Sequence, residues 1–318
     1  MNMTIDLHLH TVYSDGELTD QDIINYASKA DLISVTDHNS VKMYEKLGVL
    51  SSSKMIVGTE LTVEGFPDRL LYFPSLDHHN HESLNEIENQ LLRIRQAEEL
   101  NVRRAYQLLK ETDKDTPYTD WDNDIAIIRS AQSVKLEGRT ADLARIRFLH
   151  RTHSLSKIGF FEKEDLTAAR IARRNASLGD LSEFGSIRFL KSYGAETVLA
   201  HPIHTAYMRA GRTNSTYDKI CLELSSILED FFNNNGQCVE WEYISENDRD
   251  RQKLIYDHQS DLRNQVLSFI DSKKMYCLWG TDTHKHIPNG IEKWSQQCEN
   301  ELSGYCPTWI KERMLYEN

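Results

Sequence analysis

Histidines and carboxylates recur at one place in this chain's pattern of predicted elements: at or just past the C-terminal ends of strands. Thr4–His10 reads as a strand, with Ile5, Leu7 and Leu9 on one face and Asp6, His8 and His10 on the other. Leu32–Thr36 is a second strand, running into Asp37-His38, and Met55–Val57 a third, running into Gly58-Thr59-Glu60. Glu196–Ala200 ends at His201-Pro202, and Met275–Gly280 ends at Thr281-Asp282-Thr283-His284. Strand C-termini are where chemistry is assembled in folds of β/α units. Arg69–Phe73 and Val239–Tyr243 complete the predicted strands, and helices fall between most of them, near Thr19, Leu181–Tyr193, Tyr217–Asn233 and Asp248–Lys273. The alternation predicts an α/β fold with parallel strands. Thr19-x-x-Asp22 resembles a capping box ahead of Ile23, Ile24 and Ala27.

Composition narrows the classes. A chain of 318 residues with 39% hydrophobic and 27% charged residues is that of a folded protein, and no run approaches the roughly 20 apolar residues of a membrane span. The first residues, Met1-Asn2-Met3-Thr4-Ile5-Asp6, lack the basic and apolar regions of a signal peptide, so a cytoplasmic location is expected. Cys221, Cys238, Cys277, Cys298 and Cys306 contain no C-x-x-C pair, which favours reduced thiols over a disulfide frame or a thiolate zinc site. The net charge of −12 is uneven: residues 91–175 carry 17 Lys/Arg against 13 Asp/Glu. That segment is read as mostly helical, beginning with a helical pattern from Glu82 to about Glu111. It is either an anion-contacting piece beside an acidic pocket or an Arg-rich solvated surface.

The strand-end residues have metal-ligand character. His8-Leu9-His10 places two imidazoles on one strand face, as joint coordination requires. Asp15, in the turn Ser14-Asp15-Gly16, can swing a carboxylate toward the same mouth. Asp37-His38, Glu60, His201 and Asp282-x-His284 add a mixed nitrogen and oxygen set that suits Zn²⁺, Mn²⁺ or Fe²⁺ and more than one ion, with Glu60 a candidate bridge. Such a convergent set without ions is expensive to keep. His78, His79 and His81 read as loop or surface histidines. His150, His153 and His258 show no partners in the sequence, and His286 is a candidate to stand behind the ligands.

These motifs carry a resemblance. Asp6-Leu-His-Leu-His-Thr-Val-Tyr-Ser-Asp-Gly16, Val35-Thr-Asp-His38, Gly58-Thr-Glu60, Leu199-Ala-His-Pro202 and Gly280-Thr-Asp-Thr-His284 resemble, in order and spacing over nearly the whole chain, the successive motifs of the PHP (polymerase and histidinol phosphatase) superfamily. Asn89–Leu109 and Gly138-Arg139-Thr-Ala-Asp142-Leu-Ala-Arg145 are similar to the helical insertion of the branch that includes bacterial 5′-nucleotidase-like phosphoesterases and 5′→3′ exoribonucleases. The resemblance implies a distorted (β/α)7 TIM-like barrel with a helical insertion subdomain. Residues 1–80 would be its first part, 81–178 the basic insertion, and 179–318 the remainder with a C-terminal extension. It further implies two or three divalent metal ions (Mn²⁺, Zn²⁺ or Fe²⁺) on His8, His10, Asp15, His38, Glu60, His201, Asp282 and His284, with Asp15, His38 and His201 in the catalytic set. Three departures stand out. Arg69-Leu-Leu-Tyr-Phe-Pro74 lacks the histidine that relatives carry after the glutamate. Asp142 lies where the insertion usually has Arg-x-His, and His204 follows His201-Pro202 where relatives often have an arginine.

The expected activity is metal-dependent hydrolysis of a phosphate ester, with Arg139, Arg145 or His204 holding the phosphate. The substrate is a phosphorylated nucleotide or the 5′ end of a short single-stranded nucleic acid. No membrane partner is expected, and nothing in the sequence points to a protein partner. The competing expectation, motivated by the missing histidine, is a catalytically degenerate barrel that serves as a binding or regulatory module.

Overall fold

The alternation of apolar and polar residues does produce strands where the sequence predicts them. The computed structural model describes residues 3–14, 16–47, 54–62, 67–94, 183–211, 215–244 and 253–315. In chain order its strands are β1 (Ile5–Leu9), β2 (Leu32–Val35), β3 (Val57–Leu61), β4 (Arg69–Phe73), β5 (Glu196–Leu199), β6 (Cys238–Glu242) and β7 (Tyr276–Gly280). The helices are α1 (Asp20–Ala27), α2 (81–94), α3 (Glu183–Lys191), α4 (Pro202–Arg209), α5 (Tyr217–Asn233), α6 (Lys253–Asp257), α7 (Gln259–Lys273), α8 (Ile291–Leu302) and α9 (Thr308–Leu315). The capping box at α1 forms as expected: Asp22 N donates to Thr19 Oγ1 at 3.3 Å, and Thr19 N to Asp22 Oδ2 at 2.9 Å. The helix expected over Asp248–Lys273 is instead two, separated at His258, whose ring packs on Tyr217 at 4.4 Å. The basic insertion beyond residue 94 lies outside the described residues.

The fold is mixed α/β, but two expectations about the sheet are corrected. First, not all strands are parallel: β4 runs antiparallel to both β3 and β5, and only the β1–β2, β5–β6 and β6–β7 pairings are parallel ladders. Second, among the described residues the ladders do not run continuously into a closed (β/α)7 barrel. They form a two-stranded sheet, β1-β2, and a five-stranded sheet, β3-β4-β5-β6-β7, joined by isolated bridges such as Ile33 with Met55 and Leu9 with Thr283.

Side chains explain why the ladder is interrupted. Between β2 and β3 the buried Tyr44 hydroxyl accepts from Val35 N (3.0 Å) and Gly58 N (2.9 Å) and lies 2.6 Å from Val35 O and 2.9 Å from Ile56 O. A phenol thus stands where backbone would pair with backbone. Between β1 and β7 the buried Asp6 carboxylate accepts from Thr281 N (2.9 Å) and Thr281 Oγ1 (2.8 Å), while Ser295 Oγ of α8 accepts from Ile5 N at 2.8 Å. In each gap the inserted side chain satisfies part of the backbone, and single backbone bonds such as Ile56 N to Ile33 O (3.0 Å) and His10 N to Thr283 O (2.9 Å) satisfy more, as buried amides require.

Two apolar clusters flank the strands. One packs β4–β7 against α4, α5, α7 and α9, with Ile220, Leu224, Ile227, Leu228 and Phe231 forming the buried stripe of α5. The other packs β1–β4 against α1, α2 and the Tyr44 turn, with Ile87, Leu91 and Ile94 on the buried face of α2. Burying each such aliphatic side chain contributes roughly 1.5–3 kcal/mol. Trp241 and Trp279 are core residues, and Cys238, Cys277, Cys298 and Cys306 are buried free thiols. Among the described residues no helix is long and apolar enough to cross a membrane.

Candidate metal centre

The polar side of β1 supplies the floor of the site. His8 and His10, two residues apart, project to the same face and are fully buried. Their Nε2 atoms stand 3.0 Å from each other. Glu60, the fourth residue of β3, reaches the same point, with Oε2 lying 3.4 Å from His8 Nε2, 3.3 Å from His10 Nε2 and 3.1 Å from His38 Nδ1. Glu60 lies within its strand rather than past its end, because pairing with β4 continues to Leu61. Asp282, just after β7, brings Oδ1 to 3.1 Å from His10 Nε2 and 3.4 Å from His8 Nε2. His201, just after β5, places Nε2 2.9 Å from Glu60 Oε1.

The floor is sealed and the rim is open. His8, His10 and Glu60 are wholly buried, whereas the side chains of Asp282 and His284 are 35% and 34% exposed. Three residues around the site have positive φ: Asn39 at 49°, His201 at 23° and Asp282 at 52°, a region that non-glycine residues adopt infrequently. For Asn39 the support is visible: its amide nitrogen donates to Glu60 O at 2.9 Å, and its side chain exchanges bonds with Thr62 N and Thr62 O, tying the His38 loop to the end of β3.

Three groupings of donor atoms close enough to share an ion result. They are His8, His10, Glu60 and Asp282; Glu60, Asp68 and His201; and His10, His38 and His284. Glu60 belongs to two of them and His10 to two. Seven of the eight ligand candidates read from the sequence are therefore brought together, and Asp15 lies outside the described residues. Arg139, Arg145 and Asp142 also lie outside them. His204 is half-buried on the first turn of α4, with its ring edge-on to His201 at 5.9 Å.

Other sequence readings resolve differently. Asp37 does not face the cluster: it accepts from Thr11 N (2.7 Å), Thr11 Oγ1 (2.6 Å) and Ser14 Oγ (2.6 Å), and so holds the turn that follows β1. His78 is buried rather than a surface residue, beside exposed Asp77 and His79, while His286 is exposed and does not stand behind the ligands. The sequence reading missed Asp68, Glu240 and Glu242. Asp68 immediately precedes the strand that lacks the expected histidine. Glu240 and Glu242 sit in Cys-Val-Glu-Trp-Glu, an apolar strand whose alternate acids are the signal that a buried polar face exists there.

Electrostatics and donor chemistry fit divalent cations. Burial alone disfavours every charge at the floor, yet His8 is held well above the usual imidazole range by the charges of Glu240, Asp282 and Glu60, and His201 likewise by Glu60, Asp282 and Asp68. Glu60 and Asp282 are driven well below the usual carboxylate range by the imidazoles around them, against the opposing effect of burial. Protons on the imidazoles thus balance the carboxylates when no other cation does. Glu60 Oε2 is buried without a hydrogen bond, although three imidazole nitrogens surround it. Two nitrogens facing each other at 3.0 Å share at most one proton. Lone pairs converging on a common point in this way suit a cation with nitrogen and oxygen ligands.

No protein-family model and no curated protein sequence matches the chain. Solved structures do. A protein from Bifidobacterium adolescentis assigned as a metal-dependent phosphoesterase aligns over 91% of this chain and 90% of its own, at 18% identity and TM-score 0.49. An amidohydrolase from Chromobacterium violaceum, solved with sulfate and no metal, aligns over 91% and 89%, at 16% identity and TM-score 0.50. A two-domain protein from Bacteroides vulgatus containing a predicted PHP-like metal-dependent phosphoesterase aligns over 89% of this chain and 52% of its own, at 11% identity and TM-score 0.37. At 16% identity the likeness to the Chromobacterium violaceum structure is one of fold alone.

Proposed function

We propose that the chain is a divalent-metal-dependent phosphoesterase of the PHP type, acting on phosphate esters of nucleotides or on the 5′ end of short RNA or DNA. One observation carries the reading: three groupings of imidazole and carboxylate donors converge on one open-rimmed floor and share Glu60 and His10. The order of the motifs supports it as well. His8, His10, Glu60 and Asp282 would hold one ion. Glu60, Asp68 and His201 would hold a second, with Asp68 taking the place of the histidine absent from Arg69–Phe73. A third position would use His10, His38 and His284. Ions there supply an acidified water and charge neutralisation for a phosphoryl group.

The chain's own residues do the rest. The buried floor keeps solvent out from beneath, so a phosphoryl group enters from the side of Asp282 and His284. His204, whose ring lies edge-on to that of His201, would hold a phosphate oxygen. His38 is oriented by a 2.8 Å hydrogen bond between its Nδ1 and Thr62 Oγ1. Where these imidazoles are protonated, the proton on Nε2 must leave before that nitrogen can serve as a ligand, whereas His8 keeps its Nδ1 proton toward Glu240.

The test is release of phosphate or mononucleotide, with Mn²⁺, from a 5′-phosphorylated oligonucleotide and from a nucleoside 3′,5′-bisphosphate, beside a His8→Ala plus His10→Ala control. Stepwise mononucleotide release identifies an exonuclease, and phosphate from the bisphosphate alone identifies a small-molecule phosphatase. Inactivity on both with ions bound removes the nucleotide reading and directs attention to other esters and to amides. Absence of bound ions after reconstitution favours the binding-module reading.

A further inference from the structure

β6 lies between β5 and β7 and carries two carboxylates into the interior: Glu240 is 1% exposed and Glu242 7%. Buried carboxylates persist only where their oxygens are satisfied. Glu242 accepts from Ile203 N (3.0 Å) and His204 N (3.1 Å), the first two N–H groups of α4, since Pro202 has none. Glu240 does something different. Its Oε1 lies 2.7 Å from His8 Nδ1, and its Oε2 accepts from His201 N at 2.6 Å. One side chain therefore touches the ring of a residue in the first donor grouping and the backbone of a residue in the second.

We propose that Glu240 is a positioning residue that couples two ion positions. Its bond to Nδ1 fixes the His8 ring so that Nε2 faces His10, Glu60 and Asp282. Its bond to the His201 amide holds a backbone at φ 23°, a conformation that non-glycine residues adopt infrequently, so that His201 Nε2 meets Glu60 Oε1. A carboxylate behind a ligating imidazole sets the ring's orientation and basicity, and its loss typically weakens metal binding by about 10- to 100-fold. Here both positions respond together, because a single group orients both. The inference rests on the metal-dependent reading.

The experiment compares wild type, Glu240→Gln, Glu240→Asp and Glu242→Gln by Mn²⁺ titration calorimetry and by proton–nitrogen correlation of the histidine rings in the ion-free protein. Glutamine has one acceptor oxygen in place of two and can satisfy only one donor. Glu240→Gln is expected to weaken every ion bound through His8 or His201 by at least tenfold and to lose or shift the strongly deshielded His8 Nδ1 proton. Glu242→Gln, which touches no ligand ring, is expected to keep that proton signal and bind within threefold of wild type. Glu240→Asp keeps the charge but reaches one donor, and it covers the case in which the glutamine variant does not fold; its affinity should fall between the two. Wild-type affinity in both Glu240 variants, or weakening confined to one ion, overturns the coupling. A wild-type chain that takes up no ion overturns the metal reading and the coupling with it, and the His8 proton still reports separately whether Glu240 orients the ring.

Discussion

The Nε2 atoms of His8 and His10 stand 3.0 Å apart, with Glu60 Oε2 and Asp282 Oδ1 within 3.4 Å of both. In the ion-free chain protons must occupy this point, and a cation must displace them. Adding Mn²⁺ or Zn²⁺ should therefore release protons at pH 7, measurable by calorimetry in buffers of different ionisation enthalpy. Binding should weaken as pH falls, because His8 and His201 have raised proton affinities in the folded state. An ion present at 100 times its Kd stabilises the native state by about 2.7 kcal/mol, so thermal unfolding should shift upward by several degrees and return with EDTA. Glu60→Gln removes the carboxylate shared by two groupings and should abolish most of that shift. An unchanged shift would show that the ions bind elsewhere.

Gly280 sets the distance between β7 and β1 at the site. A Cβ there would lie 2.4 Å from His8 Cβ and 2.5 Å from His8 N, so alanine forces backbone apart rather than displacing a side-chain tip. Gly280→Ala should cost about 1–3 kcal/mol in urea unfolding and separate His8 from Asp282, weakening ion binding by tenfold or more. Gly304→Ala, where nothing lies within 4 Å, serves as the control. Equal ion affinity in the two variants would refute the packing argument.

How much of this was legible from sequence follows from what each signal reports. Period-2 alternation located β1, and the repeated placement of histidines and acids near strand ends located His8, His10, His38, Glu60, His201, Asp282 and His284. All of these are local patterns. The direction of β4 was not legible, because antiparallel and parallel strands share the same alternation. Nor was barrel closure, which depends on Tyr44, Asp6 and Ser295 inserting between strands distant in sequence. For Glu240 the alternation of acids in β6 signals a buried polar face, but not what it meets there, because its partners His8 and His201 lie 232 and 39 residues away.

Tyr44 offers a direct test of the interrupted ladder. Its hydroxyl is the acceptor for two buried amides, Val35 N and Gly58 N. Tyr44→Phe keeps the ring volume and leaves both amides unsatisfied, which should cost about 2–4 kcal/mol with an unchanged denaturant slope. A loss under 1 kcal/mol would mean that β2 and β3 close up to pair directly.

Glu242 gives the stability a pH dependence of defined sign. Burial, the largest influence, pushes its carboxyl from the ordinary 4.5 up to about 7, against the lowering effects of His201 and the His204 amide. A group whose folded pKa is raised binds its proton more tightly in the folded state, so its stabilisation is complete below pH 4.5 and is lost as pH rises through 7. At 1.36 kcal/mol per unit the full swing is about 3 kcal/mol. Glutamine keeps one acceptor for Ile203 N and His204 N and cannot ionise. In EDTA, the difference in unfolding free energy between Glu242→Gln and wild type should therefore shift in favour of the variant by that amount from pH 4.5 to pH 8. The comparison cancels the other titrating groups, since both chains share them. Parallel stability–pH curves would show that Glu242 titrates near its ordinary value and that water reaches the β6 carboxylates.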